Sequence, residues 1–236
     1  MVVESVLKLM KLEMQKFEIT KYVKGALIAN IVILFLICLI AYVETNQGIQ
    51  VMTSHYMAME IIETIIRVTF IIFAAVLLSQ IVISEYKNKT INVLFMYPIK
   101  RRTILIAKLL VTVLFTFFAI IFSFIIVGSG FYLFNSFTNV IPEPLSATII
   151  INSFGKVVFN ALAASLISLI PLYFGLKKYS VPATIVSAFF VSLIISQNIN
   201  GFSLYSIIII PITLSLIGLA TAIIVIKNID NGDIIT

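Results

Sequence analysis

The side chains able to do chemistry are sparse in this 236-residue chain: ten Asp and Glu, sixteen Lys and Arg, one His and one Cys. Two groupings stand out. Glu63 and Arg67 are four residues apart, hence on one helical face, at the start of a long apolar run. A charge pair there reads as a structural ion pair near a membrane interface, or as a charged lip at the mouth of a pathway. The second grouping is Ser84–Lys108, SEYKNKTINVLFMYPIKRRTILIAK, which carries Glu85 and six of the sixteen Lys and Arg. An apolar patch, Ile91–Tyr97, sits in its middle and ends at Pro98. A loop that only joined two spans would need neither feature. The chemistry this stretch suggests is contact: an apolar grip framed by charge. A plain topology signal touching anionic lipid is the simpler reading, but it needs no apolar centre.

The same inventory excludes much. One histidine, His55, and one cysteine, Cys38, cannot assemble a metal site or a nucleophile–histidine–carboxylate constellation. No GxxxxGK[ST] loop is present to cradle a nucleotide. Ionisable groups lie near the ends of the apolar runs, whereas ion-coupled pumps place them centrally. The chain is therefore expected to bind no cofactor and to catalyse nothing itself. If it moves a solute, the energy comes from another subunit. Four neutral polar residues inside apolar runs remain candidates for interhelical hydrogen bonds or for lining a path: Asn30, Asn160, Ser165 and Ser168.

These residues need elements to place them. The chain is 61% hydrophobic and 11% charged, against about a quarter charged in soluble domains. Apolar runs of about 20 residues cross a hydrocarbon core. Six are read here: Gly25–Val43, Glu60–Ile83, Ile104–Phe134, Val157–Leu176, a short Val181–Ser196, and Leu204–Ile226. The short fifth could instead re-enter near its own side. Before the first span, Val3, Leu7, Met10, Met14 and Phe17 recur at helical spacing, with Glu4, Lys8, Lys11, Gln15 and Glu18 on the next stripe. That pattern predicts an amphipathic helix lying in the interface. The expected fold is all-α, a single membrane domain over residues 1–236. Residues 1–23 form its interface helix and residues 84–103 a cytoplasmic loop. With the N-terminus inside, fourteen of sixteen Lys and Arg fall on the cytoplasmic side, leaving Arg67 and Lys156. The positive-inside rule then places the chain in the cell membrane with both termini cytoplasmic. The net charge of +6 marks those loops and not a nucleic-acid partner.

Six spans, an interface helix, and the loop after the second span together resemble the ABC-2-type permeases, the membrane subunits of ATP-driven exporters. Glu85, Thr90, Leu94, Pro98, Arg101 and Lys108 match that family's loop pattern. Lys89 departs from it, because a glycine is common before the threonine. Size and the absence of a fused ATPase are similar to small Gram-positive peptide exporters, among them the phenol-soluble-modulin exporter and the bacitracin- and lantibiotic-immunity permeases. The resemblance implies the ABC-2 (type V) exporter fold, a separate ATPase that binds ATP and Mg, and a second permease subunit in a homo- or heterodimer. It implies contacts with membrane lipids and an amphipathic peptide substrate. It gives Glu85, Thr90, Ile91, Leu94, Phe95, Pro98 and Arg101 the task of coupling to the ATPase through a short helix. An immunity or scaffold protein without transport, and an exporter of another lipid-like substrate, are the alternatives.

Overall fold

The computed structural model describes residues 2–47, 52, 54–88, 90, 100–141, 147–199, 202–203, 205 and 207–230. Helix α1, Val2–Lys16, ends where Glu18 takes a left-handed conformation, φ 45°. The chain turns there and enters α2, Ile19–Gln47. Buried residues on α2 are Ala26, Asn30, Ile33, Ile37 and Ala41, spaced three and four apart as one helical stripe requires. Its other face, including Ile28, Ile31 and Phe35, is exposed. In a membrane protein such a face meets lipid tails or another subunit.

Helix α3, His55–Leu78, is capped by Ser54, whose hydroxyl accepts from the Met57 amide at 3.3 Å. It runs without interruption through a π-helical turn, Ser79–Ile83, into α4, Ser84–Lys87. This composite rod is the centre of the bundle. Phe70, Ile71, Leu77, Leu78, Ile81 and Ile83 are all shut off from the surface. Helix α5, Arg101–Thr138, is continuous for 38 residues, roughly 57 Å at 1.5 Å per residue. The helix continues through Gly128–Gly130. Gly130 lets Leu34 of α2 approach, since an added Cβ would lie 2.8 Å from Leu34 Cδ2.

Helix α6, Ala147–Ile167, breaks at Ser168–Leu169, and α7, Ile170–Lys178, continues with Pro171 in its first turn. A proline has no N–H for the carbonyl four residues back and its ring crowds that carbonyl, here Ile167. The break therefore falls a turn before Pro171. Helix α8, Val181–Ile195, is short. A two-residue antiparallel pair follows, Asn198–Ile199 with Phe202–Ser203. Helix α9, Ile209–Asp230, closes the bundle. The last span thus starts at Ile209 and not at Leu204. Pro211 falls in its first turn, where a missing N–H costs no hydrogen bond.

Among the described residues five helices are long and apolar enough to cross a membrane, and α8 is a shorter apolar helix. The fold is that of an all-α polytopic membrane protein. Two buried clusters fill it, one around Ile37, Ile66, Phe70 and Ile120, the other around Met10, Leu78, Ile81 and Leu172. Helix α1 belongs to the second. It packs against α5, and Met10 and Glu13 are buried while Leu7 and Met14 are exposed. The expected stripe is therefore split. One flank faces protein, and Leu7 and Met14 are left exposed on the other.

Candidate functional site

Two ionic clusters are built on the same central rod. The first joins α1, the α3–α4 rod and α5. Lys108 is fully buried on the second turn of α5. Its ammonium donates to Glu13 Oε2 at 2.7 Å and to the Ile81 carbonyl, within the π-helical turn, at 3.2 Å. It also lies 3.0 Å from Glu85 Oε2 as an ion pair outside hydrogen-bond alignment. Glu85 Oε1 accepts from Lys16 at 2.5 Å. Phe17 lies beside both cations, its ring centre 5.1 Å from the Lys108 ammonium and 5.2 Å from that of Lys16. Two buried carboxylates and two cations make a neutral set, which is how charge survives away from water. The arrangement fastens both ends of the basic loop, Glu85 before it and Lys108 after it, to each other and to α1.

The second cluster is on α3 about four turns before the π-turn. Glu63 Oε1 accepts from Arg67 Nη1 at 3.3 Å and from Asn160 Nδ2 of α6 at 2.6 Å. Arg67 Nη2 donates to Thr64 Oγ1 at 3.3 Å, and its guanidinium stacks 3.7 Å over the Tyr205 ring. The Tyr205 hydroxyl donates to the Asn160 carbonyl at 3.2 Å. Burial holds the Tyr205 phenol above the ordinary tyrosine range, with Arg67 opposing, so it stays a neutral donor. Lys156 donates to the Tyr56 hydroxyl at 2.8 Å. Glu60, Glu63, Lys156, Asn160 and Tyr205 line a cavity of about 510 Å³ whose remaining wall is mostly apolar.

The structure brings Glu63, Arg67 and Asn160 together, and it buries Glu85. Thr90 is exposed and its hydroxyl donates to the Glu85 carbonyl at 3.3 Å. Arg101 is exposed at the first turn of α5. Ile91, Leu94, Phe95 and Pro98 lie outside the described residues. Ser165 and Ser168 are buried away from the cavity, each donating to a carbonyl three residues back, Leu162 at 2.8 Å and Ser165 at 2.6 Å. Asn30 is buried too, and its Oδ1 has no hydrogen-bond partner among the described residues. Among the described residues no group of three or more His, Cys, Asp or Glu is placed to hold a metal ion.

Glu13, Lys16 and Tyr205 were not legible as site residues from the sequence. For Glu13 there was a signal. It falls three residues after Met10 and four before Phe17, inside the apolar stripe, and a carboxylate there needs a buried cation. Nothing local marks Tyr205.

The family model described as ABC-2 family transporter protein matches residues 9–195. The uncharacterised protein YcbO of Bacillus subtilis (strain 168) is 40% identical over 227 residues, covering 96% of this chain and 100% of that protein. No solved structure matches.

Proposed function

The chain belongs to the ABC-2 transporter family and is a membrane transport permease, and on that premise we propose that it is the membrane-spanning half of an exporter that moves amphipathic peptides outward. Family membership implies an ABC ATPase partner. The permease is the membrane component and not the catalytic one, and ATP with Mg belongs to the ATPase. In this reading the loop at residues 84–103 docks on the ATPase, with Ile91, Leu94 and Phe95 as apolar anchors and Thr90, Pro98 and Arg101 shaping the rim. A second permease subunit completes the path. Both termini are cytoplasmic, and the Glu63–Arg67–Asn160 cavity lies on the outer side.

One observation carries the proposal. Glu85 and Lys108 close the base of the loop at 3.0 Å, and Lys108 holds α1 through Glu13 at 2.7 Å. A loop tied off in this way moves as one piece with α1 and with the ends of two spans. That is what transmission from an ATPase requires, and it is more than a topology signal needs.

The test is to purify the protein together with its nucleotide-binding partner. Leu94→Asp and Phe95→Asp are expected to release the partner, while the single exposed change Lys87→Ala keeps it. Undiminished co-purification and ATPase stimulation with both Asp variants would overturn the docking assignment. Stimulation of hydrolysis by amphipathic helical peptides is expected. A flat response to peptides with stimulation by lipids would replace the substrate class.

A further inference from the structure

The cavity of about 510 Å³ beside Arg67 is lined by two carboxylates from one face of α3, Glu60 in the second turn of that helix and Glu63 three residues on. Its other polar groups are Tyr56, Ser153, Lys156, Asn160 and Tyr205. The Glu63 side chain is 13% exposed, and its Oε1 takes both hydrogen bonds, from Arg67 and Asn160. Its Oε2 accepts none from the described residues and is not enclosed, so it opens on the cavity. Glu60 is partly buried, and its carboxylate makes no hydrogen bond or close ion pair with a described residue.

The cations nearby are engaged elsewhere. Arg67 gives Nη1 to Glu63 and Nη2 to Thr64, with its plane over the Tyr205 ring. Lys156 is exposed, and its ammonium is turned onto Tyr56, donating to the hydroxyl and lying 4.7 Å from the ring centre. Arg67 therefore compensates one of the two carboxylates and leaves the other. Asn160 and Tyr205 already donate, to Glu63 and to the Asn160 carbonyl. Two carboxylates on adjacent turns of one face are satisfied by a group with a positive charge and several N–H donors. A primary ammonium has three, whereas a quaternary ammonium has the charge and no N–H. The rest of the wall includes Met59, Phe124, Phe159, Ile208 and Pro211, which suit a hydrocarbon body joined to that group.

We propose that this cavity binds a primary ammonium carried on an apolar body, with Glu60 and the open oxygen of Glu63 as its acceptors. Two sources carry that chemistry: the lysine side chain or N-terminus of an amphipathic peptide, and the headgroup of phosphatidylethanolamine. The site is a property of this chain alone and is tested without an ATPase, so its failure leaves the docking and export readings standing.

The chain contains no tryptophan, so a single introduced one reports without background. Phe159→Trp places it on the cavity wall, and Phe35→Trp on the exposed face of α2. Each variant in phosphatidylcholine nanodiscs is titrated with dodecylamine bearing a nitroxide on its chain, and with the matched alcohol and trimethylammonium compounds. Saturable quenching by the amine is expected at position 159 and only non-saturating quenching at position 35. The alcohol and the trimethylammonium compound are expected to bind at least about tenfold more weakly. Adding Glu60→Gln to Phe159→Trp raises the half-quenching concentration about three- to tenfold; this carboxylate holds no other part of the fold, so the variant tests binding and not folding. Adding Lys156→Gln, which removes a repelling cation, tightens the amine. Equal binding of amine and alcohol, or a Glu60→Gln curve that overlays the parent, overturns the site. So does weaker binding in Lys156→Gln, which would make this a site for an anion. Displacement of the labelled amine by a lysine-bearing amphipathic peptide identifies the peptide as the source, and displacement by phosphatidylethanolamine added to the disc identifies the lipid. Displacement by neither overturns the proposal.

Discussion

Removing Lys108 tests the central claim that the basic loop is tied to α1 and the bundle by buried charge. Lys108→Met keeps the length and most of the apolar stem but deletes the ammonium. Glu85 retains Lys16 at 2.5 Å, but Glu13, with a side chain 7% exposed, loses its only ion-pair partner among the described residues. Breaking a buried pair by removing one member costs about 3–5 kcal/mol, because the other charge is left uncompensated. The Ile81 carbonyl loses its donor as well. At 1.4 kcal/mol per decade this lowers the equilibrium constant for docking of α1 by roughly two to four orders of magnitude. Lys16→Met is the control. Its contact with Glu85 is shorter than either Lys108–carboxylate contact, yet the Lys16 side chain is 46% exposed, and an exposed pair contributes only about 0.2–1 kcal/mol. Denaturant titration of the purified protein, with proteolysis at the α1–α2 turn as the probe of docking, reads both variants. The double variant Glu13→Leu/Lys108→Met is expected to regain most of the loss, since no carboxylate is then stranded. If Lys108→Met loses no more than Lys16→Met, or the double variant is worse than Lys108→Met, the cluster is not what holds α1 and the mechanical argument fails.

Other outcomes follow from the packing and the second cluster. Gly218→Ala would place a Cβ 2.1 Å from the Leu166 carbonyl oxygen. Backbone cannot yield there as a side chain does, so α6 and α9 should separate at a cost of about 1–3 kcal/mol. Gly128→Ala meets nothing within 4 Å and should be neutral or stabilising by up to about 1 kcal/mol, which the same titration distinguishes. Arg67→Met strands Glu63 beside Asn160 and should cost several times more than Lys156→Met, whose ammonium lies in the open cavity; equal losses would show that the Glu63–Arg67 cluster is solvated. In a Cys38→Ser background, an impermeant thiol reagent applied outside cells should label Phe137→Cys and not Lys87→Cys; the reverse pattern would invert the chain.

The helices were readable because most apolar runs have at least the length a bilayer demands, and the Glu63–Arg67 pair was readable because i,i+4 spacing is local. What joined those residues was not. Asn160 reaches Glu63 across 97 positions of sequence, and Glu13 reaches Lys108 across 95. Both pairings are fixed by the rotation of one helix against another, which hydropathy does not encode. The π-turn is equally silent, since Ser79–Ile83 has the composition of ordinary helix. Tyr205 was assigned to a span because its neighbours are apolar, although it is 3₁₀ and precedes the helix that begins at Ile209. The interface helix was legible as amphipathic but not in its orientation. A helix between protein and lipid can be apolar on both flanks, so periodicity alone could not choose the one that packs.

The two clusters are related through the rod that carries them. Glu63 and Glu85 are 22 residues apart on one uninterrupted helical path, about 33 Å at the α-helical rise, close to the thickness of a hydrocarbon core. Such a rod resists stretching, so a displacement of Glu85 along its axis must appear at Glu63 unless something between them gives. The π-turn is where that could occur, because a carbonyl there is already held by a side chain, Ile81 by Lys108, and π-turns recur at functional positions in helices. Ser79, Ile81, Val82 and Ile83 of this turn are buried while Gln80 is exposed, which resists sideways bending of the rod and favours axial or rotational movement. On the proposed function, the loop, the π-turn and the Glu63–Arg67 cavity form one mechanical line, in which the ion pairs at either end set what the rod can release and what it must carry with it.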